Sequence, residues 1–214
     1  MRFVNRGILV HPAEFDATQL ELASRAGLNQ LGLHPVGGLG AEKSLEEAIA
    51  AHPLPENIAL RAEAARRGVA VYYGAHALSW LLPRALFANH PDWFRMNERG
   101  ERTPDVNLCP SCADALDYAA ERAGQLARLL DTGCDDYDYW MDDVCGGPCH
   151  CPDCSRLSAS DQQLRVVNAL LRGLRRVNPR ARLCYIAYLD ALEAPRRVEP
   201  TEGVFLEYAP FSRD

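Results

Sequence analysis

The sequence predicts an α/β protein, a (β/α)8 TIM barrel truncated to about six βα units. Short β-rich runs alternate with longer segments whose apolar residues recur at helical spacing. This alternation is typical of a parallel sheet with crossover helices. In addition, polar residues stand at the ends of the β-rich runs, where barrel proteins place their binding and catalytic groups.

The first half of the chain supplies three of the predicted strands. They cover residues 7–10, 28–33 and 69–73, and helical patterns cover residues 17–26, 44–51 and 58–67. Gly27 and Gly68 follow two of these helices, and glycine commonly ends a helix. No Gly-rich phosphate turn follows the first strand, which disfavours the alternative of a doubly wound open sheet.

The second half supplies three more strands after a long connection. Residues 77–110 exceed a plain βα turn, so we expect this segment to be functional or to cap the barrel. Helices are predicted at residues 113–130 and 161–177, and strands at residues 137–141, 183–187 and 203–206. We therefore expect residues 1–214 to form one partial barrel domain that lacks its C-terminal βα units, with further domains in the same protein.

Charge and hydropathy exclude two classes of partner. The net charge of −6 argues against nucleic acid, which needs a basic surface. No apolar run reaches the length that spans a bilayer, so we expect no membrane partner. The amino terminus has no signal-peptide pattern, which leaves the localisation open: cytoplasmic, or secreted if a further segment precedes this one.

Residues at the strand ends are the candidates for binding a substrate. The set that can hydrogen-bond a sugar comprises His11, His34, His76, Tyr188 and Tyr208. Trp80, in the long connection, offers a ring for stacking on a sugar, although packing is the alternative for aromatic residues there. The same three histidines, completed by Asp142 or Asp143, also suit a metal-dependent hydrolase.

An acidic pair, Asp142-Asp143, ends the fourth strand. Glycoside hydrolysis needs a carboxylic acid to protonate the leaving oxygen and a second group to support the cation-like centre. We expect Asp143 to be the acid and Asp142 to orient the substrate or hold charge beside it, with Glu207 after the sixth strand as an alternative second carboxylate. A capping or metal-binding turn is the structural alternative. Hydrolysis by carboxylates requires no cofactor.

Eight cysteines are present, and four of them lie within ten residues. Cys145, Cys149, Cys151 and Cys154 have spacings that suit a structural zinc site, with disulfides or free buried thiols as alternatives. A C-x-x-C pair at Cys109 leads into the helix before strand four, so it is expected to approach the same face of the barrel.

Several motifs together resemble an uncharacterised glycoside-hydrolase-like TIM-barrel family. They are the stretch from Gly74 through His76 and Trp80 to Pro83, the run from Asn89 to Phe94, Gly100, Asn107-Leu-Cys109, the acidic pair with Gly146-Gly147, and the C-x-C-x-x-C of Cys149, Cys151 and Cys154. The similarity covers roughly residues 69–188. The resemblance implies a carbohydrate-active hydrolase akin to α-glucuronidases and β-hexosaminidases, of the kind used in polysaccharide degradation.

One departure from that family concerns the mechanism. Its members carry a single acidic residue followed by glycine, whereas this chain has Asp142-Asp143-Val-Cys. The doublet resembles the end of strand four in hexosaminidases, which implies that Asp143 is the acid and that Asp142 steers a substrate acetamido group. A glycan is the expected substrate. The alternative functions are a catalytically silent carbohydrate-binding barrel and the metal-dependent hydrolase.

Overall fold

The computed structural model describes residues 4–210, in which six parallel strands form one sheet. The strands lie side by side in chain order: β1 Gly7–Val10, β2 Gln30–Leu33, β3 Ala70–His76, β4 Asp136–Trp140, β5 Arg182–Ala187 and β6 Val204–Tyr208. The sheet curls into a half-barrel. The predicted parallel α/β fold is thereby confirmed, while closure into eight strands stays a prediction.

Helices cover one face of this sheet. They are α1 Ala17–Arg25, α2 Ala41–Ala51, α3 Pro55–Arg66, α4 Leu78–Leu81, α5 Ala113–Leu129 and α6 Ala159–Arg175. Alternate strand residues, such as Leu31, Tyr139 and Leu183, join the helices in the main core. The strand residues that alternate with these point to the inside of the half-barrel, where Trp140 and Ile186 form a smaller cluster.

The two longest helices, α5 and α6, approach each other closely at glycine. A Cβ atom added to Gly173 would lie 1.8 Å from the carbonyl oxygen of Ala120. Only a residue without a side chain allows this backbone contact. The contact lies near the end of α6; the start of this helix is fixed by its N-cap Ser158, which forms a capping box with Asp161.

Two strands extend further than the sequence predicts. β3 continues through His76, which pairs with Trp140 of β4, and β6 continues through Tyr208, which pairs with Ala187 of β5. His76 and Glu207 are therefore parts of strands rather than the residues that follow them. The pairing with a neighbouring strand, which local composition does not reveal, holds these residues in extended form.

The sheet has two edges within the described residues. β1 and β6 each pair with one neighbour, and both carry exposed apolar side chains, among them Leu9 at 45% and Leu206 at 67%. Among the helices of residues 4–210, none has the length and apolar character to cross a bilayer.

Candidate active site

The predicted acidic pair lies beyond the carboxyl end of β4, where the chain has left the strand. β4 ends at Trp140, and a turn follows in which Val144 N–H donates to the Asp142 carbonyl at 2.9 Å. Side-chain alternation along a strand therefore does not apply to Asp142 and Asp143. The two carboxylates meet different surroundings, and this difference defines the site.

Asp142 is held by groups from the long β3–α5 connection. Its side chain is 9% exposed and forms an ion pair with the Arg84 guanidinium. Its Oδ2 also accepts a hydrogen bond from the Asn107 backbone N–H at 2.5 Å. Because Asp142 is paired with a cation and a backbone donor, it anchors the loop after β4 to this connection.

Asp143 is more open and faces other strand ends. Its side chain is 34% exposed, and its Oδ1 lies 4.0 Å from Nε2 of His76, at the end of β3. Burial raises the pKa of Tyr188, which follows β5, and the charge of Asp143 and a hydrogen bond to it add to that rise. A Cβ atom at Gly37 would lie 2.8 Å from Asp143 Oδ2, so the β2–α2 loop also touches this carboxylate.

His76 presents a neutral ring to Asp143. Its Nδ1 lies 2.7 Å from the Met141 carbonyl oxygen, which only accepts hydrogen bonds, so the proton is on Nδ1. Burial lowers the pKa of His76, which favours the neutral form. The unprotonated Nε2 of this ring therefore faces Asp143, at 4.0 Å from its Oδ1.

A second histidine supports the first. His34, at the end of β2, places its Nδ1 2.8 Å from the Gly74 carbonyl oxygen. Both imidazole rings pack on Trp140, at ring-centroid distances of 5.3 Å for His34 and 5.2 Å for His76. The structure thus brings together five of the predicted site residues: Asp143, its neighbour Asp142, His76 and Tyr188 beside Asp143, and His34 packed against His76.

A small cleft adjoins this group between the loops that follow β4 and β5. His76 and Tyr188 line the cleft as well as contacting Asp143, which itself lies outside the lining. Asp190 also lines it, and its carboxylate accepts hydrogen bonds from the N–H groups of Gly146 and Gly147 at 2.7 and 3.3 Å. That carboxylate is therefore committed to holding the loop after β4.

Three predicted substrate contacts lie elsewhere. The Trp80 ring is 8% exposed in the main core, with the Arg122 guanidinium 3.8 Å above it, so the packing alternative describes it and the predicted sugar contact does not. Tyr208 is 66% exposed at the edge strand β6. His11 uses its Nδ1 to accept from the Ala13 N–H at 3.2 Å, at the start of a short turn. The structure does not bring Tyr208 or His11 to the lining of the cleft.

Glu207 belongs to a separate group inside the half-barrel. The Cys184 thiol donates to Glu207 Oε2 at 3.3 Å, and an oxygen of Asp138 lies within 4.8 Å of both groups. Asp138 is buried, one of its oxygens has no hydrogen-bond partner, and burial with the nearby charge of Glu207 raises its pKa to about 7. Glu207 is thus directed into the sheet interior rather than at Asp143.

The cysteines converge differently from the predicted set. Within residues 4–210, four buried thiols meet, those of Cys109, Cys149, Cys151 and Cys154. Cys145 is exposed and lies outside the cluster, and the next residue, Gly146, adopts a left-handed φ of 71°. The fourth member of the cluster is Cys109, from the long β3–α5 connection, in place of the predicted Cys145.

Histidine does not contribute to a metal group in the described part of the chain. The two groups of potential ligands there consist of cysteine and carboxylate side chains only. The convergence of His11, His34 and His76 that a metal-dependent hydrolase requires is therefore not formed.

Three contributors to the site were given no role from the sequence. Arg84 carries no local signal, because its partner Asp142 is 58 residues away in the chain. Asn107 belongs to the Asn107-Leu-Cys109 motif, and Gly37 stands in a Gly-rich loop, but neither pattern assigns its residue a partner. All three act through contacts between segments that only the fold brings together.

Comparisons with known proteins identify a family and a fold. A family model described as a domain of unknown function, DUF4838, matches residues 53–214. Among curated proteins, no sequence matches this chain.

Two solved structures share the fold. A cold-adapted β-galactosidase from Rahnella sp. R3 is 15% identical with a TM-score of 0.52, and the match covers 85% of this chain and 35% of the enzyme. A β-galactosidase from the psychrophilic Marinomonas ef1 is 11% identical with a TM-score of 0.50, covering 86% of this chain and 37% of the enzyme. The chain therefore spans about a third of the length of each enzyme.

Proposed function

We propose that this chain, which belongs to the DUF4838 family, contributes to the hydrolysis of glycosidic bonds in a glycan, with Asp143 as the general acid. One observation carries the proposal: of two adjacent carboxylates at the end of β4, Asp142 is fixed by Arg84 while Asp143 is open to solvent beside His76. A fixed charge next to an accessible carboxyl group suits an acid that must reach a substrate oxygen.

The chemistry assigned to Asp143 is a single proton transfer. The protonated carboxyl group donates to the glycosidic oxygen as the bond to the sugar carbon breaks, and water later restores the proton. His76 Nε2 lies 4.0 Å from this carboxyl group, and a small movement of the Asp143 side chain would bring the two within hydrogen-bond distance. Tyr188, which follows β5, hydrogen-bonds the same carboxyl group.

Asp142 acts as a positioning residue in this proposal. Its Oδ2 is used by Arg84 and by the Asn107 N–H, so this oxygen is committed to the protein, while the residue itself lines the cleft.

The group that supports the cation-like centre comes from the substrate in this proposal. Glu207 is directed at Cys184 in the sheet interior, which disfavours an Asp143–Glu207 pair. A substrate acetamido group would supply the missing nucleophile, as in substrate-assisted glycoside hydrolases. We therefore place acetamido sugars first among the candidate substrates, and uronides second.

The test uses the full-length protein and pairs of aryl glycosides that differ in leaving group. With a poor leaving group, Asp143→Asn should lower kcat about a hundredfold or more, because the leaving oxygen is no longer protonated. With an activated leaving group, such as dinitrophenol, the loss should be much smaller, because that oxygen leaves without a proton. Asp153→Asn, an exposed acid in the same loop, is the matched control and should leave both rates unchanged.

Three results would contradict the proposal. Equal losses with both leaving groups would give Asp143 a structural role, and unchanged rates would move the acid elsewhere. Absence of turnover on every sugar, with measurable glycan binding, would favour the silent carbohydrate-binding barrel instead.

A further inference from the structure

We propose that Cys109, Cys149, Cys151 and Cys154 form a structural zinc site that joins the long β3–α5 connection to the loop after β4. All four residues are buried, with exposures from 0% to 4%. Their sulfur atoms lie within 4.8 Å of one another. Four cysteine sulfurs in one buried group are a ligand set typical of structural zinc.

The distances between the thiols match a coordination sphere. Zinc binds thiolates at about 2.3 Å in a tetrahedron, which places neighbouring sulfur atoms about 3.8 Å apart. Cys109 Sγ lies 3.7 Å from Cys151 Sγ and 3.8 Å from Cys154 Sγ. A disulfide requires a distance of about 2.05 Å between the two sulfur atoms, well below these separations. Cys109 Sγ is also about equally far from two partners, and it could form a disulfide with only one of them.

The surroundings of the cluster suit thiolates. The Met96 backbone N–H donates to Cys149 Sγ at 3.3 Å, and Ser111 Oγ lies 3.1 Å from Cys154 Sγ. The Arg102 guanidinium lies 3.9 Å from Cys149 Sγ. Four thiolates with one Zn²⁺ carry a net charge of about −2, so a nearby cation and N–H donors stabilise the centre.

The site is closed and serves structure rather than catalysis. Four protein ligands fill a tetrahedron and leave no position for water or substrate. The loop that carries three of the ligands is also clamped by the Gln162 side chain, which bonds the backbone of Cys149 and Cys154. Cys109 follows Asn107 by two residues, so the metal would fix the segment that holds Asp142.

Two other cysteines provide matched controls. Cys112, the second member of the C-x-x-C pair, points to Asp92 at 4.0 Å, and Cys145 is exposed. Both belong to the same two segments as the ligands, and neither is in the cluster. Cys112→Ser and Cys145→Ser should therefore retain the metal, whereas Cys109→Ser and Cys154→Ser should lose it or bind it far more weakly.

The experiment measures metal directly and does not depend on glycosidase activity. The full chain is purified without chelators, and metal content is determined by elemental mass spectrometry, with about one zinc per chain expected. Replacement by Co²⁺ should produce the visible absorption of a tetrahedral tetrathiolate centre. The two control variants should show the same content and spectrum as the wild type.

Three outcomes would overturn the inference. Substoichiometric metal after refolding with zinc would exclude the site, and iron in place of zinc would overturn the assignment of the metal. Fewer than eight free thiols in the denatured, unreduced protein would indicate disulfides instead. Should the ligand variants fail to fold, the wild-type metal content and the Co²⁺ spectrum still decide the question.

Discussion

Asn107 and Asp142, 35 residues apart in the chain, bind each other through two reciprocal hydrogen bonds. The Asp142 carboxylate accepts from the Asn107 N–H at 2.5 Å, and the Asn107 amide oxygen accepts from the Asp142 N–H at 3.0 Å. Asn107 also donates to the Gly147 carbonyl at 3.0 Å and adopts a left-handed φ of 53°. Asparagine is among the few residues that tolerate that conformation.

Replacing Asn107 should therefore weaken both the fold and the site. Asn107→Ala removes two side-chain hydrogen bonds, leaves a buried carbonyl of Gly147 without its donor and puts alanine at positive φ. We expect a loss of about 2–3 kcal/mol in the free energy of unfolding, measured by urea denaturation. Asn89→Ala, at an exposed position in the same connection, should change stability by less than about 0.5 kcal/mol. Equal effects of the two substitutions would contradict this account.

Gly37 should be required for the placement of Asp143. Gly37→Ala adds a Cβ atom 2.8 Å from Asp143 Oδ2 and 3.1 Å from His76 Cδ2, so the carboxylate has to move. We expect a tenfold or larger loss of kcat/KM with little change in Tm, since a displaced catalytic group lowers the rate steeply. Gly40→Ala, whose Cβ atom would meet Val36 at an ordinary 3.6 Å, is the control and should behave as wild type.

Asp138 should make stability fall as the pH rises from about 4 to about 7. Burial and the charge of Glu207 raise its pKa to about 7 in the folded chain, whereas the unfolded chain titrates near 4. In that window the folded state binds more protons than the unfolded state, so stability decreases with pH and then levels off. Asp138→Asn should be more stable than wild type at pH 8, by at most about 4 kcal/mol. At pH 4 the two proteins should unfold alike, and a constant difference across this range would refute the assignment.

Asp161 should have the opposite pH dependence. Although burial raises its pKa, hydrogen bonds from Arg197, Ser158, Arg196 and Val198 outweigh that effect and bring it to about 2. Its contribution is present above pH 5 and is lost as the pH falls towards 2. Asp161→Asn should cost about 2 kcal/mol at pH 7 and progressively less below pH 4. Asp114→Asn, an exposed acid in the first turn of α5, should show no such trend in acid titrations of stability.

Local pattern was sufficient for the order and type of the elements. Helical spacing located α5 and α6, and the short β-rich runs located all six strands, because each pattern reflects burial within one element. The extensions of β3 to His76 and of β6 to Tyr208 were not predictable in this way. They depend on pairing with a neighbouring strand, which is a contact between distant parts of the chain.

The site was predictable only in part, for a similar reason. The strand-end rule selected His34, His76, Asp143 and Tyr188, which the fold does bring together. It also selected Glu207 and Tyr208, which point elsewhere once β6 continues past them. The different surroundings of Asp142 and Asp143 depend on Arg84 and Asn107, which bind Asp142. These two residues are 58 and 35 positions away from Asp142 in the chain.

The two open edges of the sheet have a consequence for handling the chain in solution. An edge strand offers unpaired backbone N–H and C=O groups, and β1 and β6 add exposed apolar side chains to them. Such a surface recruits any extended segment that can add a further strand. The isolated chain is therefore expected to associate at high concentration by edge-to-edge pairing, and charged substitutions at Leu9 or Leu206 should suppress that association.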